Sequence, residues 1–174
     1  MAEDPSQARL QRRLELVRAH VDCENRHDFD GIIATFGKAV AYEDQAWREL
    51  HPGSDGIRTY YQEFLQACDD LRIDVHQEHV CADTIVLEVT IGGTHTGSWH
   101  GLLATGSRFA IPLCGIYTFD DDDRLAGERI YYDRATVFAQ LGVFHEPVGV
   151  LGKLSLVLNH PLTIGRSLVR AIWK

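Results

Sequence analysis

Apolar residues recur at helical spacing through the first 70 positions and then alternate with polar ones along most of the remaining chain. Leu10, Leu14, Val17 and Val21 form one stripe and predict an amphipathic first helix over roughly Pro5 to His27. Asp28 can cap a second, shorter helix with Phe29, Ile32, Ile33 and Phe36 as its apolar face and Gly37 as its end. Ala39 to Asp44 reads as a short strand. Ser54 or Asp55 opens a third helix, whose stripe is Ile57, Tyr60, Tyr61, Phe64 and Leu65. After Asp70, strands are predicted at Leu71 to Cys81, Thr84 to Thr94, Ser98 to Leu103, Arg108 to Phe119 and Leu125 to Tyr132. Helices followed by a meandering antiparallel sheet make an α+β arrangement. The run Asp120-Asp121-Asp122-Asp123 fits a solvated hairpin turn.

Composition narrows this picture. The chain has 174 residues and is 45% hydrophobic, enough for one domain with a substantial core. A net charge of -8 argues against nucleic acid as a partner. The charge is uneven: Pro147 to Lys174 holds no Asp or Glu but carries Lys153, Arg166, Arg170 and Lys174, which leaves -12 on the preceding residues. Cys23, Cys68, Cys81 and Cys114 are scattered without a close pair, so neither a structural metal nor a disulfide framework is expected. The polar start MAEDPSQARLQRRLELV has no apolar signal region, and no apolar run reaches membrane-spanning length. A cytoplasmic protein with reduced thiols is the expectation.

Two segments carry more specific information. The first is GTHTGSWHGLLATGSRF, Gly93 to Phe109, a Gly-broken extended run that turns at Thr105-Gly106. The second is GERIYYDRATVFAQLG, Gly127 to Gly142, a strand passing directly into a short helix. Together they resemble the SnoaL-like polyketide cyclase branch of the nuclear transport factor 2-like superfamily, over roughly residues 10 to 142. The resemblance implies a cone in which a curved antiparallel sheet wraps around about three helices and leaves a deep pocket. It also implies a homodimer paired through the outer face of the sheet, near His95 and Trp99.

Carried over residue by residue, the resemblance turns Glu128, Ile130 and Tyr132 of the last long strand toward the pocket. The related cyclase has its catalytic Asp where this chain has Ile130. The second Asp of the limonene epoxide hydrolases, which share the fold, falls on Ile130 as well, and their Arg-x-Asp pair falls on Thr96 and Ser98. Neither known mechanism is therefore present with its own residues. The water-orienting Tyr-x-Asn of those hydrolases is similar to Tyr42-Glu43-Asp44, where alternation puts Tyr42 and Asp44 on one face. A half-buried Asp44 facing an apolar cavity would suit acid-base work. Glu128 is an auxiliary candidate, or else a rim carboxylate paired with Arg129 or Arg108.

The same carry-over places Thr96, Ser98 and His100 inward and His95 outward, making His100 the candidate proton carrier; a bulge at Gly97 would reverse that choice. Ile111, Leu113, Gly115 and Tyr117 supply an apolar wall that suits a flat hydrophobic ligand. Asp133 reads as a helix N-cap. His76, Glu78 and His79 are split between strand faces, so no metal is assigned. The expected function is a small cofactor-independent enzyme performing cyclisation, isomerisation, dehydration or hydrolysis on a polyketide-, steroid- or terpenoid-like molecule. The rival is a non-catalytic module that holds a ligand or partner in the same pocket. The last 28 residues predict a helical arm packing on the domain or on a partner subunit, in preference to a membrane.

Overall fold

A computed structural model describes residues 5–173. Helix α1 (Pro5–Asn25) and helix α2 (Phe29–Thr35) precede strands β1 (Phe36–Asp44) and β2 (Glu49–Pro52), and helix α3 (Gly53–Ala67) follows. Strands β3 (Arg72–Val80), β4 (Thr84–Thr94), β5 (Arg108–Phe119) and β6 (Leu125–Tyr132) then lead into α4 (Arg134–Gln140), α5 (Val150–Asn159) and α6 (Pro161–Ile172). The strands form one six-stranded sheet in the order β2-β1-β6-β5-β4-β3. All neighbours are antiparallel except β1 and β6, which pair in parallel with Tyr42 beside Glu128 and Asp44 beside Ile130.

Alternation does the positioning. Along β4, Ile85, Leu87, Val89 and Ile91 are buried, and along β5, Phe109, Ile111 and Tyr117 are buried on the same concave face. Helix α1 contributes Val17 and Val21, and α3 contributes Ile57, Tyr60 and Tyr61. Burying each large apolar side chain stabilises the fold by about 1.5–3 kcal/mol; these residues form two clusters beneath the sheet, with Ile91, Phe109 and Ile111 in the second.

Capping follows the sequence closely. Asp28 accepts from the Gly31 N–H at 2.9 Å, and Asp133 accepts from Ala135 and Thr136 at 2.9 and 3.2 Å. Asp120 closes the acidic hairpin by accepting from the Asp122 and Arg124 N–H groups. Asp123 pairs with Arg9 and with the buried Arg13.

Two expected elements differ and one element is new. Gly37 does not end α2 but lies inside β1, where an added Cβ would run into the Asp120 carboxylate. β2, four residues long, is the new one; it pairs with β1 at the edge of the sheet. The strand predicted at Ser98 to Leu103 is instead a tight turn. A Trp99–Leu102 bridge closes it, with His100 and Gly101 at φ 47° and 80°.

That turn exists because the chain leaves the sheet after β4. The N–H groups of Thr96 and Gly97 both donate to the carbonyl of Ala67, at 2.9 and 3.0 Å, docking the segment on the end of α3. The approach is close enough that a Cβ on Gly97 would collide with the Gln66 carbonyl oxygen. Gly97→Ala should therefore destabilise the fold by about 1–3 kcal/mol, the usual cost of overpacking. A urea midpoint lowered at unchanged m-value is the expected result.

Candidate active site

A cavity opens between the concave face of the sheet and helices α1, α3 and α4. Its walls are apolar and aromatic, with Tyr42, Tyr60, Tyr61, Phe64, Trp99, Phe109 and Tyr117 among them. Of the residues singled out from the sequence, Tyr42, Ile111, Leu113, Tyr117, Glu128, Ile130 and Tyr132 line it. Asp44, Thr96, Ser98 and His100 do not.

Its polar floor, formed by Glu24, Tyr61 and Glu128 with His20 behind them, is built from three elements. His20 and Glu24 come from α1, Tyr61 from α3 and Glu128 from β6, and all four are buried. On α1, Val17, His20, Val21 and Glu24 follow the i, i+3, i+4, i+7 spacing of one helix face. The same stripe that packs the core therefore carries two ionisable groups inward.

Hydrogen bonding fixes much of the proton arrangement. The Thr35 hydroxyl donates to the Ile32 carbonyl at 2.6 Å, so its oxygen accepts from Nδ1–H of His20 at 2.7 Å. His20 Nε2 then faces Glu128 Oε2 at 3.2 Å and Glu24 Oε1 at 3.7 Å. A proton must sit between imidazole and carboxylate for the shorter contact to be a hydrogen bond. Tyr61 donates to Glu24 Oε1 at 2.6 Å and lies 3.3 Å from Glu128 Oε2. Glu24 Oε2 is buried with no hydrogen-bond partner, and Glu24 lines the cavity.

The electrostatics follow from burial. Loss of water raises the Glu24 carboxyl to about 7; His20 opposes the rise and Glu128 adds to it. Burial works against a charged His20, but Glu24 and Glu128 outweigh it and its pKa is raised. Burial foremost, then nearby acidic groups, hold the Tyr61 and Tyr117 phenols well above their ordinary value, so both stay protonated. The three groups His20, Glu24 and Glu128 also offer ligand atoms within 4.8 Å of one another, the spacing a single metal ion would need.

Glu128 is thus not a rim carboxylate. Arg129, its sequence neighbour, points the other way and pairs with Glu43 at 2.8 Å.

Asp44 is fully buried but faces donors rather than the cavity. Its Oδ1 accepts from the Ala46 and Trp47 N–H groups at 2.9 and 3.0 Å, and its Oδ2 accepts from the Tyr60 and Tyr132 hydroxyls at 3.2 and 3.0 Å. It holds the turn after β1 and aims two tyrosines of the cavity wall.

The histidine assignment reverses. His95 is 1% exposed and lines the cavity, together with Trp99, so neither lies on the outer face of the sheet. Its Nδ1 accepts the Thr105 N–H at 3.2 Å, which places the ring proton on Nε2, and Nε2 has no partner. Burial lowers the His95 pKa and favours this neutral form. Thr96, Ser98 and His100 turn outward because the chain has already left the sheet. His100 stacks on Trp47 with ring centroids 3.8 Å apart and lies 3.6 Å from Glu49.

The family model for SnoaL-like polyketide cyclases matches residues 14–141. The chain belongs to that family. Solved structures agree on the fold. A provisionally assigned SnoaL-like polyketide cyclase from Jannaschia sp. CCS1 superposes with a TM-score of 0.70 at 16% identity, over 81% of this chain and 96% of that one. AclR from Streptomyces galilaeus, provisionally a hydroxylase, gives 0.68 at 22% identity over 78% and 99%. SalBIII, an epoxide hydrolase/cyclase-like enzyme of pyran ring formation in the polyether salinomycin, gives 0.62 at 17% identity over 72% and 94%. Among curated proteins, none matches the chain. The SnoaL-like fold thus holds here.

Two expectations test this geometry. The Glu24 carboxyl is raised from 4.5 in the unfolded chain to about 7 in the folded one, so the folded state binds the extra proton between those values. Its contribution to stability is complete below about pH 4.5 and is lost as pH rises toward about 7. Glu24→Gln should flatten that decline in urea titrations run across this range. Asp44→Asn should lower stability by about 1–3 kcal/mol, because its four donors lose their carboxylate. The thermal midpoint reports that loss directly.

Proposed function

We propose that this chain is a small-molecule enzyme that moves protons on a flat hydrophobic substrate, of polyketide-, steroid- or terpenoid-like character. The reaction class is cyclisation, isomerisation, dehydration or hydrolysis. The observation that carries the reading is the Glu24 carboxyl: buried, near neutrality in its titration, and facing an apolar cavity with one oxygen unpartnered. A base with that pKa is poised to take and return a proton at physiological pH.

In this reading Glu24 is the base. Behind it His20 compensates the charge and shares its proton with Glu128, since Nε2 of His20 reaches both carboxylates. Tyr61 orients Glu24 through its 2.6 Å hydrogen bond. At the cavity wall, the unpartnered Nε2–H of His95 is a donor for charge developing on a substrate oxygen. Tyr42 and Tyr117 orient the substrate by packing. Asp44 positions Tyr60 and Tyr132 and takes no proton from substrate. The cyclase and epoxide hydrolase/cyclase-like relatives support reaction classes of this kind. The apolar lining supports the substrate class.

The rival reading, a binding module, uses the same cavity and differs in one measurable respect. Exchange of α-protons for deuterium in a bicyclic ketone such as 2-decalone, followed by NMR, reports base chemistry without requiring the natural substrate. The wild-type protein should accelerate exchange, with a rate that rises with pH and is half-maximal near 7, as Glu24 ionises. Glu24→Gln should lower the rate on the order of 10²–10⁴-fold while the ketone still binds. Binding without exchange in the wild-type protein would favour the module. Exchange lost on chelation and restored by a divalent cation would instead assign His20, Glu24 and Glu128 to a metal.

A further inference from the structure

The C-terminal hairpin is the part of the molecule that the cavity does not explain. Helices α5 and α6 are joined through His160, and most of their side chains are exposed. α5 lays Gly152 against the backbone of Glu146 and Pro147, so closely that a Cβ there would collide with it. Its opposite face holds Val150, Leu151, Leu154, Val157 and Leu158, all exposed, with Val150 at 85%.

α6 is divided more sharply. At 100° per residue, Leu162, Ile164, Leu168, Val169 and Ile172 fall on one arc, and Thr163, Arg166, Ser167 and Arg170 fall on the other. Leu162, Leu168, Val169 and Ile172 are exposed, as is Trp173 at the end of the helix. Residues 147–174 hold four cations and no anion.

Such a surface has three conceivable occupants. The body of a second copy would satisfy the charge, but the exposed large apolar residues of the described body are divided among separate elements. Leu50 lies on β2, Val75 and Val80 on β3, Leu103 on the turn, Tyr131 on β6, and Val143 and Phe144 on the segment after α4. That leaves no apolar counterpart for two helix faces. A second arm would supply apolar area but brings the same cations, with no acid to neutralise them. An anionic lipid surface supplies both requirements at once: hydrocarbon for the apolar arcs and phosphate for Arg166 and Arg170. No helix among the described residues is long and apolar enough to cross a membrane, so the hairpin would lie in the interface. The acidic body does not prevent this, because charge is screened over about 8 Å at physiological salt and the cations are confined to the arm.

We propose that the α5–α6 hairpin seats the protein on an anionic membrane surface, with the apolar arcs of both helices in the lipid and Arg166 and Arg170 at the headgroups. This inference is independent of the chemistry in the cavity.

Flotation of the full-length protein with vesicles tests it. Vesicles of phosphatidylcholine with phosphatidylglycerol should carry the protein upward, those of phosphatidylcholine alone far less, and added salt should weaken the association. A double Arg166→Gln, Arg170→Gln variant should partition about 30-fold less strongly, taking roughly fivefold for each cation near the surface. A Leu168→Ser, Ile172→Ser pair should also lose binding while keeping the circular dichroism of the fold. The inference is overturned if the wild-type protein stays with the solvent, or if either double variant floats as well as wild type. It is equally overturned if sedimentation shows a dimer in place of lipid association and the Ser pair dissociates it, which would make a second copy the occupant.

Discussion

Two carboxylates and an imidazole share one buried site at the base of an apolar cone, and that constraint organises the rest of the structure. Unpaired, any of the three would be costly to remove from water. Here each is held by groups from elsewhere: His20 by Thr35 after the α1–α2 turn, Glu24 by Tyr61 of α3, and Glu128 by both His20 and Tyr61. α1, α3 and β6 must therefore meet in one register, or the charges are stranded. The one vacant position in the network, Glu24 Oε2, belongs to a residue of the cavity lining. A site that is satisfied everywhere except toward its ligand space is organised for function more than for stability.

A third buried carboxylate makes the contrast clear. Asp44 is as deeply buried as the others, yet four donors surround it and it meets no other acid. It holds architecture in place, fixing the turn after β1 and the two tyrosines that shape the cavity. Burial alone does not separate the two cases. The distinction lies in whether every lone pair is already used.

Much of the fold was legible in the sequence because its signals were periodic. The stripes Leu14–Val17–Val21 and Ile57–Tyr60–Tyr61, the alternation of β4 to β6, and the caps at Asp28 and Asp133 all act within a few residues. The family resemblance supplied the cone and gave Glu128, Ile130 and Tyr132 their inward face. It misdirected the reading where this chain departs from the pattern. Carrying over an Arg-x-Asp position put Thr96 and Ser98 inward. Counting from Ile85, Leu87, Val89 and Ile91 leads instead to His95, the residue found in the cavity wall. His20 and Glu24 were visible at helical spacing on the α1 stripe, but a polar residue on an apolar face looks like an interruption until its partners are known. Those partners lie 15 residues away for Thr35, 37 for Tyr61 and 108 for Glu128, beyond the reach of any local pattern.

The parallel pairing of β1 with β6 gives this arrangement a history as well as a shape. It joins strands from opposite ends of the domain, with Glu43 meeting Arg129 across 86 residues. The antiparallel strands β3 to β6 can assemble from neighbouring chain, whereas β1 can dock only after β6 exists, since closing so long a loop is entropically costly until other contacts reward it. Glu128 sits on β6 beside Tyr42 of β1, so the buried site of His20 and Glu24 borders the seam where the two ends of the domain meet. The most expensive desolvation in the molecule is thus tied to the longest loop closure in its sheet, and neither is complete without contacts between sequence-distant segments.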